Sequence, residues 1–200
     1  MTSSTAPVSR RFRSGSGRLC LDFMRTLRLR GLDGAAEELD DPEALADWAR
    51  QFGPFAADAV VPVPAEGLLH EARELREAVH ALLSAARSGA GTASCPDQAR
   101  LLVNRFAEHP VPVPVLDAHG ALRYEAADPV DAMLAEIARD ALTLATSPAL
   151  ARVRACAGPH CAAWFLDTSR PGNRRWCSMD ACGNQAKKAT LRAKRVSSPD

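Results

Sequence analysis

A chain of 200 residues, 46% hydrophobic and 24% charged, can fill one ordinary domain and a small appendage. Its apolar content is mostly Ala and Leu with few aromatics, which favours helix, and no apolar run approaches the roughly 20 residues of a membrane span. The net charge of +1 hides a division: residues 1–150 carry 15 Lys/Arg against 21 Asp/Glu, a balance of −6, while residues 151–200 carry 10 against 3, a balance of +7. An acidic body joined to a basic tail points to an anionic partner for the tail.

The opening MTSSTAPVSRRFRSGSG lacks an apolar h-region, so it is not read as a secretory signal. It reads as a disordered basic arm over residues 1–16. The expected compartment is the cytoplasm, where thiols stay reduced. Arg18–Arg30 places Leu19, Phe23, Met24 and Leu27 at helical spacing and predicts the first helix, with Cys20 a small core residue. Asp41-Pro42 is a start signal, a capping carboxylate before a first-turn proline. The helix after it carries Leu45, Trp48, Ala49 and Phe52 on one face and stops near Gly53-Pro54. A longer helix over 65–88 repeats Leu68, Leu69, Ala72, Leu75, Val79, Leu82 and Leu83 at i, i+3, i+4, i+7. Its other face alternates Glu71, Glu74 and Glu77 with Arg73 and Arg76 and reads as solvated. His70 and His80 are ordinary members of this helix.

A helix over 96–108 precedes a change of period. Val111, Val113 and Val115 alternate with prolines, and Asp117–Gly120 supplies a turn before Ala121–Glu125. This is a β-hairpin whose prolines make its first strand an edge. Asp128-Pro129 repeats the capping signature and opens a helix to about Thr146. Residues 17–150 therefore read as a mainly α domain with one small hairpin. They carry no P-loop, GxSxG elbow, HExxH or EF-hand loop, and the expectation is that the protein is not an enzyme.

The chemistry concentrates in CAGPHCAAWFLDTSRPGNRRWCSMDAC, Cys156 to Cys182. Two cysteine pairs, Cys156/Cys161 and Cys177/Cys182, each enclose four residues, and fifteen residues separate them. Four clustered thiols in a reducing compartment suggest metal before disulfide. Zinc prefers four soft ligands in a tetrahedron, and each pair can span one edge of it. The alternatives are free buried thiols, two disulfides, or redox-active thiolates that release metal on oxidation. His160 could also stand in for Cys161. With four protein ligands the zinc, one per chain, would be structural. The second pair leads into a basic helix, and a knuckle followed by a pair at a helix start is treble-clef-like. Arg174 and Arg175 can temper the −2 charge of a tetrathiolate zinc. Lys188, Arg192 and Arg195 recur at i, i+4, i+7 as a basic stripe that suits a phosphate backbone. Trp164, Phe165 and Trp176 are expected to pack the small module.

Phe165, Asp167, Ser169, Arg170, the run Arg174 to Met179, and Cys182-Gly183-Asn184 resemble the CGNR zinc-finger family. The preceding chain resembles the ABATE-type domain through Leu21-Asp22-Phe23, Leu39–Trp48, Leu75-Arg76-Glu77-Ala78 and Arg139–Leu142. The resemblance implies a bacterial transcription regulator, stress-associated by description, with a finger that binds DNA. Two positions depart from the family pattern: Gln185 stands where the naming motif ends in Arg, and Arg25 stands where Asn is favoured.

The resulting expectation is a cytoplasmic regulator with a zinc module over 151–195 and a short disordered tail over 196–200. Cys156, Cys161, Cys177 and Cys182 hold the metal. Arg170, Arg174, Arg175, Gln185, Lys187, Lys188, Arg192 and Arg195 are the candidate nucleic-acid contacts. The N-terminal domain would sense a small-molecule effector or form a homodimer. The rival expectation is an interaction module whose basic helix docks on an acidic protein or on the chain's own N-terminal domain. RNA in place of DNA also satisfies a basic stripe.

Overall fold

The computed structural model describes residues 11–188. Within them the chain folds mainly as helix. Helix α1 (Leu19–Met24) leads to a short hairpin of β1 (Leu27–Arg28) and β2 (Ala36–Glu37). Then come α2 (Pro42–Phe52), α3 (Glu66–Arg87) and α4 (Asp97–Glu108), the hairpin β3 (Val113–Leu116)–β4 (Leu122–Glu125), and α5 (Pro129–Ala145). A 3₁₀ turn over Pro148–Arg152 passes the chain into β5 (Val153–Ala155) and β6 (Trp164–Leu166). Each of the three described sheets is an antiparallel pair.

Both Asp-Pro signatures cap as expected. Asp41 Oδ1 accepts from the Ala44 N–H at 2.8 Å, and Asp128 Oδ1 accepts from those of Val130 and Asp131 at 3.0 Å. Each satisfies a first-turn donor that the helix leaves open. Long α3 packs against both α4 and α5, and Leu69, Leu75, Val79 and Leu83 are buried at its core face. Trp48 meets Phe23 edge to face at 5.1 Å and stacks on Phe52 at 4.6 Å. The hairpin turn is Asp117–Gly120, with Asp117 Oδ1 accepting from the His119 and Ala121 amides and Gly120 at φ +78°.

Helix α1 stops at Met24, well short of Arg30, because residues 27–37 form a second hairpin that lies across α3. Leu29 takes a left-handed φ of +53° between the two strands. This hairpin also overturns the solvated reading of Arg76, which is only 3% exposed. Its guanidinium grips Glu37 with two bonds of 2.6 Å and donates to Thr26 Oγ1 at 3.0 Å. Helix α1 also lacks a local side-chain cap. Asp140 of α5 supplies one, accepting from the Cys20 N–H at 2.9 Å while pairing with Arg18 at 2.7 Å. The segment expected as a free arm is packed from Phe12 onward: Phe12 joins the core and exchanges two backbone bonds with the Gln51 amide. Among the described residues no helix is long and apolar enough to cross a membrane.

Candidate metal centre

The short turn between β5 and β6 carries Cys156 and Cys161. A loop then returns to Cys177, and a wide helical turn, Met179–Gly183, holds Cys182 before residues 184–188 continue as helix. The four Sγ atoms lie within 4.8 Å of one another. Cys177 Sγ stands 3.5 Å from Cys161 Sγ and 3.6 Å from Cys182 Sγ. All six cysteines are free thiols. A Zn–S bond of ~2.3 Å sets tetrahedral sulfurs about 3.8 Å apart, whereas a disulfide needs about 2.05 Å. The spacing and the soft donor set fit one zinc ion. His160 is exposed and lies outside the cluster.

Local sequence explains the approach. Gly158 leaves room between the pairs: a Cβ there would sit 3.4 Å from Cys161 Cβ and from Cys182 Sγ. The Gly158 and Cys177 amides each point at Cys156 Sγ from 3.4 Å. Without a cation the thiols share protons unequally. The hydrogen bond from Cys177 draws Cys161 down to about 4 despite its burial. The same bond, with burial, pushes Cys177 far above the ordinary thiol range. Burial, then the Cys161 thiolate, raises Cys182 to about 11. Cys177 and Cys182 are thus held in the thiol form until a dication draws their protons off. Metal loading must therefore release protons, and zinc affinity should fall as pH drops.

The cation that touches sulfur is one the sequence pattern did not single out. Arg25, 6% exposed, extends from the end of α1 and donates to Cys177 Sγ at 3.9 Å. It also donates to the Ser14 carbonyl and to Ser16 Oγ, and lies 3.6 Å from Asp22. Burial raises the Asp22 carboxyl, although the Ser16 N–H and Arg25 pull the other way. Arg25 and Cys177 are 152 positions apart, so no local spacing could pair them; only the departure from the family's Asn marked the position.

Arg174 is engaged with the fold. It donates to the Trp176 carbonyl at 2.8 Å and to the Cys177 carbonyl, and lies over the Phe165 ring. Its backbone N–H donates to Asp167, which also receives the Ser169 amide and hydroxyl. Asp167 is fully buried, and these bonds, the Ser169 hydroxyl first, hold its carboxyl below the ordinary range. Its stabilising effect is present above the ordinary carboxylate pKa and is lost as pH falls through the depressed value. Asp167→Asn should speed hydrogen exchange at the Ser169 and Arg174 amides roughly tenfold or more at neutral pH, since hydrogen bonds to a charged acceptor are the stronger kind. Unchanged protection would mean the loop is held by something else.

Arg170 is exposed, Arg175 is exposed and lies 5.1 Å over the Trp176 ring, and Gln185, Lys187 and Lys188 are exposed on the final helical residues. Arg192 and Arg195, and with them most of the basic stripe, lie outside the described residues. Phe165 and Trp176 pack the metal module as expected. Trp164 turns the other way: it packs on the helical domain's core, 5.2 Å from His80 and beneath the Arg87 guanidinium at 4.4 Å. Val153 and Leu166 also belong to that core. The Leu166 N–H donates to the Ser16 carbonyl at 2.7 Å, where Gly17 at φ +83° leaves 3.2 Å between a would-be Cβ and Leu166 Cβ.

Comparison with known families matches residues 152–195 to the CGNR zinc finger. Residues 17–148 match the ABATE family, whose description reads "Putative stress-induced transcription regulator". Both are regulator or zinc-finger families, not enzyme families. No curated protein matches the chain. With its larger match covering well over half of the sequence, the chain belongs to the ABATE family and carries a CGNR zinc finger at its C-terminal end.

Proposed function

We propose that the protein is a DNA-binding transcription regulator. In this reading Cys156, Cys161, Cys177 and Cys182 hold one structural zinc ion, and the zinc module over 151–195 presents cations to DNA phosphates. The observation that carries it is the grouping of Arg170, Arg175, Lys187 and Lys188, all exposed, on a module whose metal set is closed by four protein ligands. Arg192 and Arg195 continue the same run of charge in the sequence. Such contacts supply affinity and position, while Gln185 is the group suited to a base edge. Arg174 acts by bracing the knuckle, so it serves DNA indirectly.

The test is a duplex-DNA titration of zinc-loaded protein at two salt concentrations. Lys188→Glu with Arg192→Glu should weaken binding about 100-fold and flatten the salt dependence by about two phosphate contacts. Salt-independent binding, or binding untouched by the double variant, would refute the phosphate role. Binding to an acidic protein without DNA binding would favour the interaction-module alternative. A lone finger reads few base pairs, so binding as a homodimer, or weak specificity, is expected. A strictly monomeric protein that bound one short site tightly would contradict that.

A further inference from the structure

Between the helical domain and the finger runs a narrow, partly enclosed cleft of about 30 Å³, room for a small head group and little more. Its walls bring together Arg13, Arg25, Arg28, Arg30, His80 and the Trp164 ring, with Cys161 to Ala163 closing the finger side, and no carboxylate lines it. Three of the arginines have partners behind the wall. Arg25 lies near Asp22, Arg28 binds Glu38 at 3.2 Å, and Arg30 binds Glu77. Arg13 has no hydrogen bond or ion pair among the described residues, although it is half-buried. Burial, and then the Arg30 charge, lower the pKa of His80, with Glu77 pulling the other way.

The backbone adds a second, independent signal. Among the described residues only Leu29 and Ala162 are non-glycine residues with left-handed φ, +53° and +51°. Ala162 lines the cleft and Leu29 sits between two arginines that do. Backbone held in this sparsely populated region concentrates at ligand clamps and switches.

We propose that the cleft binds a small oxyanion head group, a carboxylate or a phosphate, clamped between the two parts of the chain. Guanidinium forks suit either group, because both present paired oxygens to parallel N–H donors. Trp164 supplies the apolar wall for whatever the head group carries. Because one wall is α1 and β1 and the other is the finger's own knuckle, an occupant would tie effector binding to the placement of the zinc module. This deepens the effector side of the regulator reading, and its test uses no nucleic acid, so either can fail alone.

The bland rival is that these arginines only compensate the zinc thiolates, as Arg25 does. Zinc-loaded full-length protein, titrated calorimetrically with inorganic phosphate and separately with acetate at constant ionic strength, separates the two. Saturable binding of one or both supports the site and says which oxyanion it prefers. Arg13→Gln, which removes a side chain that holds nothing else in place, should then weaken binding about tenfold or more and leave zinc affinity unchanged. No saturation with either anion would overturn the proposal. So would binding that Arg13→Gln leaves intact, or an Arg13→Gln protein whose only defect is weaker zinc binding.

Discussion

Replacing Cys177 with serine is expected to reduce zinc affinity by two to three orders of magnitude or more. A structural zinc contributes roughly 10–16 kcal/mol of apparent binding free energy near neutral pH, and one ligand of four carries at least its share. Cys177 holds a central place in the cluster: it is fully buried, lies within 3.6 Å of two other ligand sulfurs and receives the Arg25 guanidinium. Competition with a chromophoric chelator measures the change, and near-UV circular dichroism follows Trp164 and Trp176 as the module loosens. Cys95→Ser is the control. Cys95 is also buried but lies outside the cluster, so its substitution should leave zinc affinity untouched. A Cys177→Ser protein that held zinc as tightly as wild type would mean a different ligand set.

Arg25→Ala should cost about 3–5 kcal/mol of stability, because removing one member of a buried charged group strands the others. For a chain of this size that corresponds to a fall in melting temperature on the order of 10 °C. The Asp22 carboxylate, 9% exposed, would lose its cation, the Ser14 carbonyl and Ser16 hydroxyl would lose a donor, and the Cys177 sulfur would lose its guanidinium contact. Zinc should also leave faster to excess chelator. The pH dependence has a definite sign. Burial already places the Asp22 pKa above its ordinary value, so its protonated form suits the fold, and stability is lost as pH rises through the folded pKa. Without Arg25 that loss grows, so the variant should be penalised less as pH falls toward the Asp22 pKa. Arg25→Lys keeps the charge but not the fork and should fall between the two proteins. An Arg25→Ala protein with wild-type melting and chelation kinetics would show that the contact is incidental.

The sequence disclosed what is local. The two Asp-Pro caps, the apolar stripe of α3, the Asp117–Gly120 turn and the four-thiol set all follow from spacing over a few residues, and the structure places each where the pattern puts it. What stayed hidden is held by contacts between distant residues. The β1–β2 hairpin has two-residue strands, too short for alternation to declare them, and its presence is what buries Arg76. Trp164 shares its sequence neighbourhood with Phe165 and Trp176, yet strand alternation turns it to the opposite face, onto α3. Arg25 is marked in the sequence only as a departure from the family's Asn, and its contact with Cys177 exists only once the finger folds back upon it.

Ser16 gives the architecture a practical consequence for anyone preparing the protein. The family match begins at residue 17, which invites a truncation there. Yet the Ser16 carbonyl receives the Leu166 N–H, its hydroxyl receives Arg25, and its own N–H is held by Asp22 at 2.9 Å. Four residues before Ser16, Phe12 is already part of the core. A shortened protein cut at the family boundary would therefore retain both recognised parts and lose the stitch that joins them. Any measurement of cross-talk between the parts made on such a fragment would report on the cut.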